Sequence, residues 1–446
     1  MMKYIKRIVS CAAVVLISFA VSAPAFAQEP GAPSASGALS HPPPAPAPAS
    51  VPSYPSSYAQ GEEFRGVWVA SVANTNWPSK KGLSEQEQKN EFIHLADEAK
   101  AMNLNAMIVQ IRPTADAFYP SELNPWSSYL SGKQGEDPGY DPLEFMIEES
   151  HKRGMEFHAW FNPFRVSTTS AVLDWDEKSV MIEHPSWVVW YDNMRWLNPG
   201  LPEVRDYAVA SVMEVVRGYD IDAVHFDDYF YPYPSGGKFP DKQTYNKYQD
   251  GVSDIYDWRR SNIDSFIKSV HDSIKAVKPE VKFGVSPIGV WRSKTDDPEG
   301  SNTTAKGSYD TIYADTRLWV RKSWVDYVAP QIYWEIGYST AAYEKVLDFW
   351  VSELSANPNV HLYIGLGVYR VGARGAWSNP NEIPNQLDLN RKSGVVKGVV
   401  FYNINSLIAN PLSIRNVIRN DFYQQAAAIP NMPWLRPMSE AVAQAE

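Results

Sequence analysis

The sequence predicts an α/β fold, a single (β/α)8 TIM barrel, and three observations carry that expectation. From Phe64 onward, eight short apolar runs rich in β-branched and aromatic residues alternate with amphipathic helical patterns. The loops after the second to fifth runs are long while the helix-to-strand returns are short, so elaboration is confined to one end of the strands. No Gly-rich phosphate fingerprint follows the first run, which disfavours a doubly wound open sheet.

The strand candidates, in order, are Phe64–Ser71, Ala106–Arg112, Glu156–Asn162, Ala223–Asp228, Lys282–Ile288, Tyr327–Trp334, His361–Val368 and Val399–Asn403. Helix starts are marked explicitly between them. Ser84 with Glu87 three residues on forms a capping box before Phe92, Leu95, Ala96, Ala99 and Met102 at helical spacing. Asp141 precedes Pro142 at the first turn of a helix that Gly154 stops. Pro202 opens another, with Val204, Tyr207, Ala208, Val212, Val215 and Val216 on one side and Gly218 at its end. The barrel is expected over residues 62–425, followed by a frayed tail at 426–446.

Upstream of the barrel, Lys3, Lys6 and Arg7 precede an apolar run from Ile8 to Val21 and then Ala25-Phe26-Ala27. This pattern predicts a secretory signal peptide over residues 1–27, its apolar run being short of the ~20 residues needed to span a bilayer. The mature protein is therefore expected to be exported, to the periplasm, the cell envelope or the medium, with no transmembrane segment. Residues 28–61, rich in Pro, Ala and Ser, lack the large aliphatics of a core and read as an extended disordered linker. Cys11 is the sole cysteine and lies within the signal. It follows almost no apolar region, which argues against a lipoprotein cleavage site. Disulfides, thiolate catalysis and cysteine-ligated metals are thereby excluded from the mature chain. Removal of Lys3, Lys6 and Arg7 takes the net charge from −10 to −13, a poor match to nucleic acid.

Candidate chemistry gathers at the strand ends. The fourth run closes on Asp227 and Asp228, and Glu335 follows the sixth. Glycoside hydrolysis needs two carboxyl groups, a protonated acid for the leaving oxygen and a nucleophile or base, and these three acids supply that set. Adjacent carboxylates repel, which raises the pKa of one. Period-two alternation puts Asp227 in phase with Ala223 and His225, so Asp227 is expected to face the barrel axis, with Asp228 turning inward at the strand end or bracing its neighbour. Arg112 and Arg165 are expected either to hold the anions ionised or to form structural pairs. Asp116, His158, Asn162, His225, Tyr229, Gln331, Tyr333, Trp334 and Asn403 complete a substrate-binding inventory at the strand tips.

The loops also carry Trp77, Trp126, Trp175, Trp187, Trp190, Trp196, Tyr229, Tyr231, Tyr233, Trp291, Trp334 and Trp377. At least half are expected to pack as loop cores. The others would offer flat apolar platforms to sugar rings. His158, His225 and Asp227 form a His/His/carboxylate set, but no HxH or HExxH spacing accompanies it, so no metal or cofactor is expected. Nor does any serine sit in a nucleophile-elbow sequence.

Taken together, Phe64-Arg65-Gly66-Val67-Trp68-Val69, Gln110-Ile111-Arg112-Pro113, His158-Ala159-Trp160-Phe161-Asn162-Pro163-Phe164-Arg165, Asn198-Pro199-Gly200, His225-Phe226-Asp227-Asp228-Tyr229-Phe230-Tyr231-Pro232 and Pro330-Gln331-Ile332-Tyr333-Trp334 resemble the glycosyl-hydrolase-like family ten. The resemblance spans nearly the whole barrel. It implies a TIM-barrel glycosidase of bacterial envelopes acting on a polysaccharide, peptidoglycan strands already stripped of their peptides, with Asp227 and Asp228 as the main catalytic candidates. Glu335 is similar in placement to the acid of related barrel hydrolases. A non-catalytic glycan-binding barrel is the alternative expectation.

Overall fold

The computed structural model describes residues 61–171 and 173–435. The expected signal peptide and all but the last residue of the expected linker lie outside these residues, as does the end of the chain after 435. Eight parallel strands close into a barrel: β1 (Phe64–Val69), β2 (Ala106–Arg112), β3 (Glu156–Phe161), β4 (Ala223–Phe226), β5 (Lys282–Val285), β6 (Tyr327–Val328 with Gln331–Ile332), β7 (His361–Leu366) and β8 (Val396–Phe401). β8 pairs with β1 from Phe64 opposite Gly398 to Val67 opposite Phe401, which completes the ring. The sixth run differs from expectation in being split. Pro330 has no N–H to give the ladder, and beyond it Gln331 donates its N–H to Pro287 O.

One principal helix follows each strand: α1 (Glu85–Ala101), α2 (Pro142–His151), α3 (Pro202–Gly218), α4 (Ile255–Val277), α5 (Thr316–Arg321), α6 (Tyr343–Ser355), α7 (Glu382–Lys392) and α8 (Ile404–Ala409). α1 begins in the capping box read from the sequence, the Ser84 N–H donating to Glu87 Oε2 at 2.8 Å. The Asp141 carboxylate caps α2 by accepting from the N–H groups of Leu143 and Glu144. Among the described residues, no helix is long and apolar enough to cross a membrane.

Strand alternation divides the core in two. Val67, Val69, Val224 and Phe226 face outward and pack under the helices, whereas Phe64, Trp68, Ala223, Tyr327 and Tyr363 fill the interior. Gly284 on β5 makes room there: a Cβ at this position would meet the Tyr327 ring at 2.0 Å. Residues 426–435, the described part of the segment expected to fray, instead pack beneath the barrel. Ala428 exchanges backbone hydrogen bonds with Gly61 and Glu63, Met432 is buried in the interior cluster, and Trp434 Nε1 donates to Asp326 Oδ1 at 3.1 Å. Its apolar residues cover the floor that an eight-stranded barrel leaves at the strands' N-terminal ends.

One further sheet was not expected. Arg165–Ser167, Met194–Leu197 and Val188–Tyr191 form an antiparallel flap in the long loop after β3. Its hairpin turns at Asp192 and Asn193, both at positive φ (49° and 57°), the two-residue turn that short polar side chains favour.

Candidate active site

Period-two geometry on β3 points His158, Trp160 and Asn162 into the barrel at successively higher levels, and the β4 end meets the upper two. Asn162 Nδ2 lies 2.8 Å from Asp227 Oδ1 and 2.7 Å from Oδ2. Trp160 Nε1 donates to Asp227 Oδ2 at 3.1 Å, and the Tyr229 N–H donates to Oδ1 at 2.9 Å. Asp227 thus faces the interior, as its phase with Ala223 and His225 predicts. Asp228 turns the other way around the mouth. Its Oδ1 accepts from Gln331 Nε2 on β6 at 2.9 Å, and its Oδ2 accepts from the Tyr233 hydroxyl. Gln331 is itself anchored on Ser286 O at 2.8 Å.

Both carboxylates are 6% exposed, enough for contact with a substrate yet mostly removed from water. Burial, and then the charge of Asp228, push the Asp227 carboxyl up to about 6, against the opposing pull of Arg165, the Tyr229 N–H and Asn162. Burial also raises Asp228, while hydrogen bonds from Tyr233 and Gln331 hold it down. The Asp227 carboxyl therefore holds its proton to a higher pH than an ordinary carboxylate, and the adjacent Asp228 is raised with it. One proton and one negative charge on neighbouring groups suit general acid and electrostatic roles in one site.

Arg165 serves this pair indirectly. Its NH2 donates to Asn162 Oδ1 at 2.9 Å, its Nε to Pro113 O at 3.0 Å, and its guanidinium lies 5.0 Å from the Tyr229 ring. Tyr333 lines the wall toward β7, its ring 5.9 Å from Tyr402, and burial raises its hydroxyl, with smaller contributions from neighbouring tyrosines and both aspartates.

Other residues of the sequence inventory lie elsewhere. His158 and His225 are buried inside the barrel, joined through the Tyr327 hydroxyl at 2.9 Å from each Nδ1. The directions of these bonds follow from donors alone. Trp68 Nε1 donates to His225 Nε2 at 3.2 Å, so His225 carries its proton on Nδ1 and gives it to Tyr327. Tyr327 then donates to His158 Nδ1, leaving His158 Nε2–H for Glu156 Oε2 at 2.9 Å. Burial lowers the pKa of the His225 imidazole and keeps it neutral. Both histidines, named for substrate binding from the sequence, are thus fully buried and hydrogen-bonded within the barrel interior.

Arg112 is 1% exposed and ties the loops after β2 and β3 together, its Nε donating to Asn124 Oδ1 at 2.9 Å and its NH1 to Asn162 O at 3.0 Å. Bracing these loops is the structural one of the two roles the sequence left open for Arg112. Asp116 is likewise enclosed in its loop, accepting from Thr114 Oγ1 at 3.0 Å, and burial raises its carboxyl. Asn403 caps α8 through Ser406 N at 3.2 Å, and Trp334 packs on the core beside Gly289. Glu335 stands in the turn before α6, with Oε2 accepting from Trp377 Nε1 at 2.9 Å. Among the described residues, no hydrogen bond joins Glu335 to the aspartate pair.

Trp160, Tyr233 and Gln110 also bond the aspartate pair or Asn162, and of these the sequence offered Tyr233 only among the loop aromatics. Gln110 Nε2 donates to Asn162 Oδ1 at 2.5 Å. Trp160 was legible from its phase with Asn162, whereas nothing local to Tyr233 announces its partner.

Comparison with known proteins follows the same lines. The family described as Glycosyl hydrolase-like 10 matches residues 63–381. Glycosyl hydrolase YngK of Bacillus subtilis is 52% identical over 379 residues, covering 84% of this chain and 74% of YngK. Glycosyl hydrolase DigH of Escherichia coli (strain K12) is 39% identical over 364 residues, covering 76% of this chain and 83% of DigH. Among solved structures, the PgaB (BpsB) glycoside hydrolase domain from Bordetella bronchiseptica shares the fold, with a TM-score of 0.53 at 12% identity over 83% of this chain and 100% of that domain. The match runs from the start of β1 to the loop before α7 and includes every residue bonded to the aspartate pair, so the chain belongs to the glycosyl hydrolase-like 10 family.

Proposed function

We propose that the protein is an exported glycoside hydrolase that cleaves a bacterial cell-wall glycan, peptidoglycan strands free of stem peptides, with Asp227 and Asp228 as its acid/base pair. The observation that carries this reading is two adjacent carboxylates buried at the barrel mouth, one held by Asn162, Trp160 and the Tyr229 N–H and the other by Gln331 and Tyr233. The protonated member gives its proton to the glycosidic oxygen as the C–O bond breaks. The ionised member stabilises the oxocarbenium-like charge and accepts a proton from the attacking water. Glu335, which accepts from Trp377 Nε1, is the third acid of the proposed catalytic set. The substrate class rests on the family resemblance of the strand-end motifs, and export rests on the signal-like N-terminus.

The test is product analysis by chromatography on purified peptidoglycan, with and without prior amidase treatment. Released saccharides are expected after amidase treatment, and none from an Asp227→Asn variant of unchanged fold. Turnover by that variant at the wild-type rate overturns the catalytic assignment. Retention of strands without products makes the protein a glycan-binding module instead.

A further inference from the structure

The two carboxylates at the barrel mouth are held in different ways. Asp227 is gripped by the end of β3 and by a backbone N–H, through Asn162, Trp160 and Tyr229. Asp228 reaches across to β6 with one oxygen, and its other oxygen is held from a loop. Gln331 Nε2 donates to Ser286 O, a group that only accepts, so the NH2 of its amide also faces Asp228 Oδ1. Asp228 Oδ2 accepts from the hydroxyl of Tyr233, five residues further along the loop after β4. Each oxygen of Asp228 therefore faces a donor, an arrangement that stabilises the ionised form of a carboxyl.

Tyr233 is itself held in place. Its ring meets Tyr229 edge-on at 5.4 Å. Beyond it residues 234–238 are exposed, and the chain returns to the core at Phe239. Between these points the flap after β3 pins the loop. The Tyr191 hydroxyl donates to Gly237 O at 3.1 Å and accepts from the Ser235 N–H at 3.0 Å, and its ring lies 5.8 Å from Phe239. Tyr191 is buried at the end of the outer flap strand, so its side chain joins the flap to the loop that carries Tyr233.

We propose that Tyr233 is a positioning residue of the acid pair, its hydroxyl orienting Asp228 and holding it as the ionised member, while Tyr191 of the flap holds the loop from which Tyr233 reaches it. This inference rests on the hydrolase reading above. The titratable groups facing Asp228 are Asp227 on the same strand end, Arg165 of the flap, Tyr229 and Tyr233 of the loop after β4, Tyr333 after β6 and Tyr402 after β8. Burial raises the Asp228 carboxyl, and the hydrogen bond from Tyr233 opposes it most, ahead of Gln331 and the charge of Arg165. The negative charge so kept on Asp228 is, after burial, the second cause that pushes Asp227 up.

Tyr233→Phe keeps the ring and removes the donor. On peptide-free glycan strands its kcat is expected to fall on the order of ten-fold, and the acid limb of its pH profile to move up by about one pH unit, because Asp228 then takes a proton more readily. Tyr191→Phe should move the same limb in the same direction by less. A fall in kcat with the limb unmoved indicates a merely structural role and overturns the proposal, as does an unchanged profile in Tyr233→Phe. A wild-type profile in Tyr191→Phe overturns the part given to the flap. A readout without turnover separates this inference from the hydrolase reading. In NMR of protein labelled at the aspartate carboxyls, the signal that Asp228→Asn deletes should titrate at higher pH in Tyr233→Phe than in wild type. If the wild type cleaves no glycan, the hydrolase reading fails on its own. The titration then decides the role of Tyr233: a shifted signal supports it and an unshifted one overturns it.

Discussion

Asn162 donates its side-chain amide to both oxygens of Asp227, at 2.8 and 2.7 Å, and the orientation of that amide is dictated from behind. Its Oδ1 accepts from Arg165 NH2 at 2.9 Å and Gln110 Nε2 at 2.5 Å, two obligatory donors, so the NH2 group has to face Asp227. Asn162→Ala removes a bond that lowers the Asp227 pKa and unfixes the carboxylate. We expect kcat to fall by about 10²-fold, with the alkaline limb of its pH profile moving upward. Steady-state kinetics across pH measures both.

The pH dependence of the wild type follows from the shared proton. With Asp227 pushed up to about 6, activity is expected to fall as pH rises through that value. Asp228→Asn removes the negative charge that raises Asp227, so the residual activity of that variant should lose its alkaline limb at a lower pH. For stability, a carboxyl whose folded pKa lies above its unfolded value of 3.8 contributes most below that value, and its contribution is lost as pH rises toward 6. Asp227→Asn should therefore gain stability relative to wild type as pH rises from about 4 to 6, read from melting temperatures across that range.

Tyr327→Phe tests the interior relay. It leaves His225 Nδ1–H without its acceptor and His158 Nδ1 without its donor, both in buried surroundings. A loss of about 2–4 kcal/mol in urea unfolding is expected from two unsatisfied polar groups.

Trp434→Ala tests the floor. The substitution removes the hydrogen bond to Asp326 Oδ1 and the edge-on packing against His361 at 5.0 Å. About 1–3 kcal/mol of stability should be lost, with the kcat of folded protein unchanged, because the floor lies at the barrel end away from the aspartates. A parallel fall in kcat would show that the floor also shapes the site.

Much of this architecture was readable along the chain because its signals are local. Strand starts at Phe64, Ala106, Glu156, Ala223, Lys282, Tyr327 and His361 coincide with those of the apolar runs. The last run begins at Val396 rather than Val399, a short-range shift past Gly398. The flap has a weaker local signal, a two-residue Asp-Asn turn between Val188–Tyr191 and Met194–Leu197 set within a loop rich in tryptophan.

What the sequence by itself determined was the barrel, the adjacency of Asp227 and Asp228 at the end of β4, and the inward phase of Asp227. Period-two alternation and chain adjacency act within a few residues, so they survive without knowledge of partners. Only the tertiary structure decided which groups surround those acids. Asn162 is 65 residues from Asp227 and Gln331 is 103 from Asp228. Their convergence depends on closing the ring, as do the burial that raises both pKa values and the placement of Glu335 on Trp377. Hydrogen bonding and desolvation belong to the assembled barrel, because each needs atoms that folding alone brings within reach.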